Sequence, residues 1–306
     1  MALVEAHTLH KSYGSVQAVD GIDLTIEGGQ VVAILGPNGA GKTTLIELLL
    51  GMRTPDSGSV RLFGSRPGTH AVRARVGAML QETDVPDALT VREVVGLVRR
   101  YYPLALPVDE LLERADLTAK ADWRASRLSG GQRQRLSFAM AIAGDPDLLF
   151  LDEPTAALDV AARRAFWTQV REFARLGKTV LFSTHNMDEV DQLADRVVVI
   201  DHGRVIADGP PATIKATVAA RHVRLATDAP AASLAEFPGV VRVDTDPDGR
   251  LVIATNTPED LLRELFASGY RVADLTVADA DLESAFVHLT GTNTGSNTDT
   301  NGSAAA

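Results

Sequence analysis

The sequence predicts an α/β fold: a mostly parallel sheet with helices packed against it, followed by a smaller α+β domain. Three observations lead there. Strand-sized apolar runs alternate with helical stretches from Leu148 to Ile200, the pattern of a parallel sheet. A glycine-rich segment, Gly36-Pro37-Asn38-Gly39-Ala40-Gly41-Lys42-Thr43, stands between an apolar run and a helical one. After Lys215 the composition shifts, and a second, shorter series of strands and helices begins.

Up to residue 35 the chain reads as strands with tight turns. Asp20-Gly21 and Gly28-Gly29 supply turn residues beside the apolar stretches Ile22 to Ile26 and Val31 to Leu35. A helix is expected from Lys42 to Leu50, a break at Thr54-Pro55-Asp56-Ser57-Gly58, and strands around Val60 to Phe63 and Arg75 to Leu80. From about Pro86 to Ala143 the pattern turns helical. Thr90 and Glu93 match a capping box ahead of Val94, Val95, Leu97 and Val98. Further helices are expected near Val108 to Ala115 and Leu117 to Trp123. Strands at Leu148 to Leu151, Thr179 to Phe182 and Arg196 to Ile200 then alternate with helices at Ala161 to Leu176 and Met187 to Leu193.

From about Arg221 to Gly291 the order is strand, short helix, strand, Asp248-Gly249 turn, strand, helix, strand, helix, which suggests a βαββαβ sandwich. Thr257-Pro258-Glu259-Asp260 reads as a helix start with a capping hydroxyl, and Gly269 as the stop. The last helix, from Asp281, carries Leu282, Ala285, Phe286 and Leu289 on one face. Residues 292–306 hold almost nothing to bury and are expected to be disordered.

Composition narrows the function. The 306 residues are 45% hydrophobic, enough for one large domain and a smaller one. A net charge of −10 argues against nonspecific binding to DNA, RNA or an anionic lipid surface. Without cysteine, disulfides and thiolate metal sites are excluded. The seven histidines lack metal-ligand spacing. No apolar run approaches the ~18 residues that span a bilayer, and Met1-Ala2-Leu3-Val4-Glu5 lacks the regions of a signal peptide. A soluble chain that stays where it is made is therefore expected.

The glycine-rich segment fits the phosphate-loop pattern G-x-x-x-x-G-K-[ST] at every fixed position. Gly36, Gly39 and Gly41 let backbone N–H groups curl around a phosphate. Lys42 supplies a charge for the β- and γ-phosphates, Thr43 a hydroxyl for Mg²⁺, and Thr44 continues the helix whose N-terminus faces the anion. Pro37, Asn38 and Ala40 complete the loop. A nucleoside-triphosphate site is expected here. The strand Leu148 to Leu151 ends in Asp152 and Glu153. Asp152 is placed to reach the Mg²⁺ shell, and Glu153 to act as general base on the attacking water. Between these motifs lies Leu128-Ser129-Gly130-Gly131-Gln132, where Ser129 can cap a second helix with exposed N–H groups.

With that constellation the sequence resembles the nucleotide-binding domain of ATP-binding-cassette (ABC) proteins, over about residues 3 to 218. The resemblance implies a P-loop NTPase with an antiparallel β subdomain and a helical subdomain at about 86–143. It also implies an ATPase using ATP and Mg²⁺. By the same resemblance Tyr13 stacks on adenine, Gln81 touches the metal and follows the membrane partner, Asp159 contacts a dimer partner, and His185 contacts the γ-phosphate. Asp159 is equally a good helix N-cap. Ser129, Gly130, Gly131 and Gln132 would meet the γ-phosphate bound to a second copy or a paralogous cassette, making an ATP-sandwich dimer. Ala157 and Val160 depart from the family's usual glycine and proline.

The segment Leu282 to Gly291 is similar to the ending of ABC-2-type exporter ATPases, including the daunorubicin-resistance type. An export ATPase is thus expected, with an ATPase domain at 1–218 and an accessory α+β domain at 219–291. It would drive a separate polytopic membrane permease from the cytoplasmic face. Residues Asp84 to Leu106, with Tyr101 and Tyr102, are the candidate docking surface, or those tyrosines are core. A soluble ABC ATPase acting on nucleic acid or ribosomes is the alternative, which the acidic charge disfavours. A regulatory module without turnover would not need the Asp152-Glu153 pair.

Overall fold

The computed structural model describes residues 2–81, 85–156, 158–216, 221–246, 248–278 and 282–290. The expected tail at 292–306, Ala157, Asp84, Asp281 and Gly291 lie outside the described residues. By its internal contacts the chain separates into two compact units, Met1–Pro211 and Ala212–Ala306.

In the first unit, β1 (Ala2–Tyr13) and β2 (Val16–Glu27) form an antiparallel hairpin. β3 (Val31–Leu35) runs into the phosphate loop and α1 (Lys42–Leu49). β4 (Ser57–Leu62) returns onto β1 and completes a three-stranded antiparallel sheet in the order β2-β1-β4. After α2 (His70–Arg73) and β5 (Val76–Met79) comes the helical segment: α3 (Val91–Arg99), α4 (Val108–Arg114) and α5 (Gly130–Ala141). Then follow β6 (Leu148–Asp152), α6 (Val160–Arg175), β7 (Thr179–Thr184), α7 (Met187–Leu193), β8 (Arg196–Asp201) and β9 (Arg204–Gly209).

These strands build a six-stranded sheet in the order β5-β6-β7-β3-β8-β9, parallel except for β9 on β8. Every residue of β6 and β7 is buried, as expected for strands covered on both faces. One face packs Val32, Ile34, Phe150 and Leu181 against Leu45, Ile46 and Leu49 of α1. On the other, Phe182 meets Trp167, Trp167 meets Phe166 and Phe166 meets Phe138, with ring centroids 4.9, 5.3 and 5.3 Å apart in tilted or edge-on arrangements. The sheet order brings the carboxyl ends of β5, β6, β7 and β3 to one edge, where ligands of open α/β sheets bind.

α8 (Pro211–Ala216) starts at the division between units. The second unit holds β10 (Arg221–Thr227), α9 (Ala231–Ala235), β11 (Val240–Thr245), β12 (Leu251–Thr255), α10 (Pro258–Ala267), β13 (Val272–Ala278) and α11 (Leu282–Thr290). Its antiparallel sheet has the order β11-β12-β10-β13, the βαββαβ arrangement anticipated. Its core is Val223, Leu225, Leu234, Ile253, Leu261 and Leu265. Leu282, Ala285 and Phe286 of α11 are buried.

Three local expectations are corrected. Asp20-Gly21 is not a turn but an interior bulge of β2: Leu9 pairs with Ile22 and His10 with Asp20, leaving Gly21 as the extra residue at φ 72°. Between Leu117 and Trp123 there is only a 3₁₀ turn, Thr118–Lys120, rather than an α-helix. The Thr257 hydroxyl makes no capping bond to α10, because its backbone (φ −134°, ψ 70°) departs from the extended geometry of a cap. The Thr90–Glu93 capping box is formed in both directions.

Candidate active site

The phosphate loop leaves the buried end of β3 and is tightly enclosed. A Cβ on Gly36 would lie 2.4 Å from the Ile200 carbonyl oxygen. Gly41 has φ 104°, and a Cβ there would lie 2.0 Å from the Ala18 carbonyl oxygen. Neither position admits a side chain, so the loop's course is set by close backbone approach. The turn between β8 and β9 braces it from outside: Gly203 N–H donates to Ala40 O (3.0 Å), and Asp20 N–H donates to Gly203 O (2.8 Å). Asn38 and Gly39 stand exposed at the tip, Pro37 and Thr44 are half-buried, and Thr43 is exposed at the helix start.

Lys42 is only 5% exposed. Its Nζ donates to Gly36 O (2.9 Å) and Pro37 O (3.1 Å), and lies 3.4 Å from Glu153 Oε1. The lysine thus folds back across its own loop. Glu153 is reached from the other side by His185, with Nδ1 3.4 Å from Oε2. Its backbone takes the left-handed value φ 46°, uncommon for a residue with a Cβ. Its N–H donates to Ser183, to O at 3.2 Å and Oγ at 3.0 Å. Lys42 at the start of α1, Glu153 after β6 and His185 after β7 therefore meet in one cluster.

Asp152, beside it, is 1% exposed. Its Oδ1 accepts from Ser183 Oγ, whereas Oδ2 has no hydrogen-bond partner among the described residues. An anionic oxygen buried without a donor is costly unless a cation or water meets it, and the hard carboxylate suits Mg²⁺. Gln81 lies two residues beyond β5, exposed, at the same edge, since Met79 pairs with Leu151.

The remaining candidates fall into two other places. Tyr13 sits at the end of β1, 41% exposed, with Arg53 and Lys11 at 5.4 and 5.7 Å from its ring centroid. Arg53 is bound to Glu47 of α1, so the ring is tied to the helix of the phosphate loop. The other group lies around α5. Ser129 caps it: Ser129 Oγ accepts from Gln132 N–H (3.3 Å), and Gln132 Oε1 accepts from Ser129 N–H (3.0 Å). A Cβ on Gly131 would lie 3.2 Å from Leu158, whereas Gly130 has open space beside it. Gln134 Nε2 donates to Pro154 O (2.6 Å). Asp159 caps α6, accepting from Ala162 N–H at 2.8 Å. Tyr101 is 76% exposed, whereas Tyr102 is half-buried against Gly144, and burial pushes its phenol pKa up.

Sequence reasoning missed Glu189. It is 4% exposed, on α7, and accepts hydrogen bonds from Thr155 Oγ1 and from Thr184 Oγ1 (2.7 Å). Arg163 Nε of α6 is 3.5 Å away. A glutamate one turn into an acidic helix start reads as a solvated dipole partner, and nothing local marks it as buried.

Comparison with known proteins gives the family. The family profile described as ABC transporter matches residues 19–156. The Nod factor export ATP-binding protein I of Burkholderia lata is 36% identical over 300 residues, covering 95% of this chain and 98% of that protein. The daunorubicin/doxorubicin resistance ATP-binding protein DrrA of Streptomyces peucetius is 38% identical over 307 residues, 94% of this chain and 92% of that one. Among solved structures, the dimeric post-hydrolysis state of the ATP-binding cassette MJ0796 bound to ADP and Pi superposes with a TM-score of 0.63 at 27% identity. It covers 68% of this chain and 98% of its own.

Proposed function

The chain belongs to the ABC transporter family of ATP-binding proteins, and on that premise we propose that it hydrolyses ATP to power export through a separate membrane permease. The observation that carries the catalytic half is the Lys42–Glu153–His185 cluster at the carboxyl ends of the parallel strands. Similarity to export and drug-resistance ATP-binding proteins over 94–95% of the chain supports the export half. The ATPase domain is assigned to 1–218 and the accessory domain to 219–291.

In this reading the triphosphate takes Lys42 from Glu153 and lies along the loop from Gly36 to Thr44, with adenine stacked on Tyr13. Mg²⁺ would be held by Thr43, Asp152 and Gln81, and would supply charge neutralisation at the β- and γ-phosphate oxygens. Glu153, released from Lys42, accepts a proton from water as its oxygen attacks the γ-phosphorus. The bond to the β–γ bridging oxygen breaks, its electron pair leaving with ADP. His185 holds the γ-phosphoryl group in place. The N-terminus of α5, from Ser129 to Gln132, and Asp159 meet the nucleotide bound by a second copy or a paralogous cassette. Two positive helix ends then flank one triphosphate. With a net charge of −10 per chain, nucleotide supplies the attraction that closes the pair, and hydrolysis removes it. The permease keeps the chain at the cytoplasmic face of the membrane, docked at the surface carrying Tyr101.

Mixing two inactive variants tests the shared site. Lys42→Ala chains and Ser129→Arg chains should each lack turnover, and their mixture should regain it, because one of the two sites in a mixed pair is intact. No recovery between folded chains that do pair would overturn the shared site. Co-purification with a polytopic membrane protein tests the transport role; its absence from native membranes, with nucleic-acid-stimulated turnover instead, would overturn it.

A further inference from the structure

We infer that Glu189 is a positioning residue for hydrolysis, holding the loop after β6 and the loop after β7 together so that Glu153 and His185 stay aligned. The inference rests on the ATPase reading above. Thr155, two residues after Glu153, and Thr184, immediately before His185, both donate to the Glu189 carboxylate. Glu153 N–H is bonded to Ser183. The loop after β6 and the end of β7 are therefore joined at two points, at the N–H of Glu153 itself and, through Glu189, at Thr155. Thr184 Oγ1 also accepts from Asn186 N–H (2.9 Å), so the turn that carries His185 is fixed at both ends.

A buried carboxylate is destabilising unless paired, and its placement here needs a reason. Arg163 supplies the opposite charge, 3.5 Å away, yet its Nε makes no hydrogen bond among the described residues. The pair is thus electrostatic, without the locked geometry of a bidentate bridge. Arg163 Nη2 also reaches Leu158 O at 3.5 Å, and Leu158 lies against Gly131. A continuous set of contacts therefore runs from the α5 start, through Leu158 and Arg163, to Glu189 and on to Thr184 beside His185.

The test measures steady-state ATP hydrolysis, equilibrium binding of a non-hydrolysable ATP analogue, and thermal melting for the wild type, Glu189→Gln and Glu189→Leu. Misaligned catalytic groups lose rate rather than affinity, so Glu189→Leu should lower kcat by about 10- to 100-fold and leave analogue affinity and KM within about twofold. Glu189→Gln, which keeps the shape and can bond both threonines once one hydroxyl turns to accept from the amide N–H, should recover most of the rate. If Glu189→Leu does not fold, Thr155→Val and Thr184→Val serve instead. Each should lower kcat, and their effects should be non-additive, because both act through one carboxylate. Unchanged kcat in the variants, or equal losses in affinity and rate, would overturn the role of Glu189 while the wild type still turns over. A folded, pairing wild type without any turnover would overturn the ATPase reading itself, and this inference with it.

Discussion

Glu153→Gln separates the hold of this carboxylate on Lys42 from its proposed work as general base. The side chain is 13% exposed, with Lys42 Nζ 3.4 Å from one oxygen and His185 Nδ1 3.4 Å from the other. The amide keeps the shape and removes the charge. Losing a general base costs about 10²- to 10⁴-fold in kcat. Binding should move the other way. At an effective dielectric of about 20, a charge pair at this separation is worth about 5 kcal/mol before solvation is counted. Lys42 keeps the Gly36 and Pro37 carbonyls as partners, so only a fraction, about 1–3 kcal/mol, is released to the triphosphate. The negative phosphate also no longer approaches a carboxylate. Affinity for a non-hydrolysable ATP analogue should therefore rise about 5- to 150-fold, measured by calorimetric titration of wild type and variant at one Mg²⁺ concentration. Phosphate release in stopped flow reports the rate. A variant that binds more weakly, or that keeps kcat within threefold, would refute the claim that one carboxylate both restrains the lysine and activates water.

Tyr13→Ala should remove a base-stacking platform worth about 1–3 kcal/mol. KM for ATP should rise while the inhibition constant of tripolyphosphate, which has no base, stays unchanged. Gly144→Ala tests packing away from the site: its Cβ would lie 2.3 Å from the Tyr102 ring. Overpacking should cost about 1–3 kcal/mol in urea unfolding, with no change in nucleotide affinity.

Much of the candidate site was readable in the chain because the phosphate-loop pattern is written locally. Gly36 to Thr43 needs only its own backbone, and Asp152-Glu153 only the end of an apolar strand. The helix caps at Thr90, Ser129 and Asp159 were equally local, each formed within three residues. What escaped depends on residues far apart in sequence. The Asp20-Gly21 dipeptide has turn chemistry, but pairing with β1 overrides it and makes a bulge. Tyr101 and Tyr102 are indistinguishable in composition, and the contact of Tyr102 with the distant Gly144 is not visible in the local sequence. Glu189 takes its partners from positions 155, 163 and 184, and no short motif joins those. The pairing of Lys42 with Glu153 is likewise a contact between two motifs more than a hundred residues apart in the chain.

The left-handed backbone at Glu153 sets two kinds of selection against each other. A glycine at that position would adopt φ 46° without penalty, recovering part of the ~1–3 kcal/mol that such conformations cost a residue with a Cβ. On the proposed mechanism it would also remove the general base. Directed evolution of this protein for heat resistance alone would therefore drift toward sturdier molecules with an idle motor, and a screen should score both properties in every round.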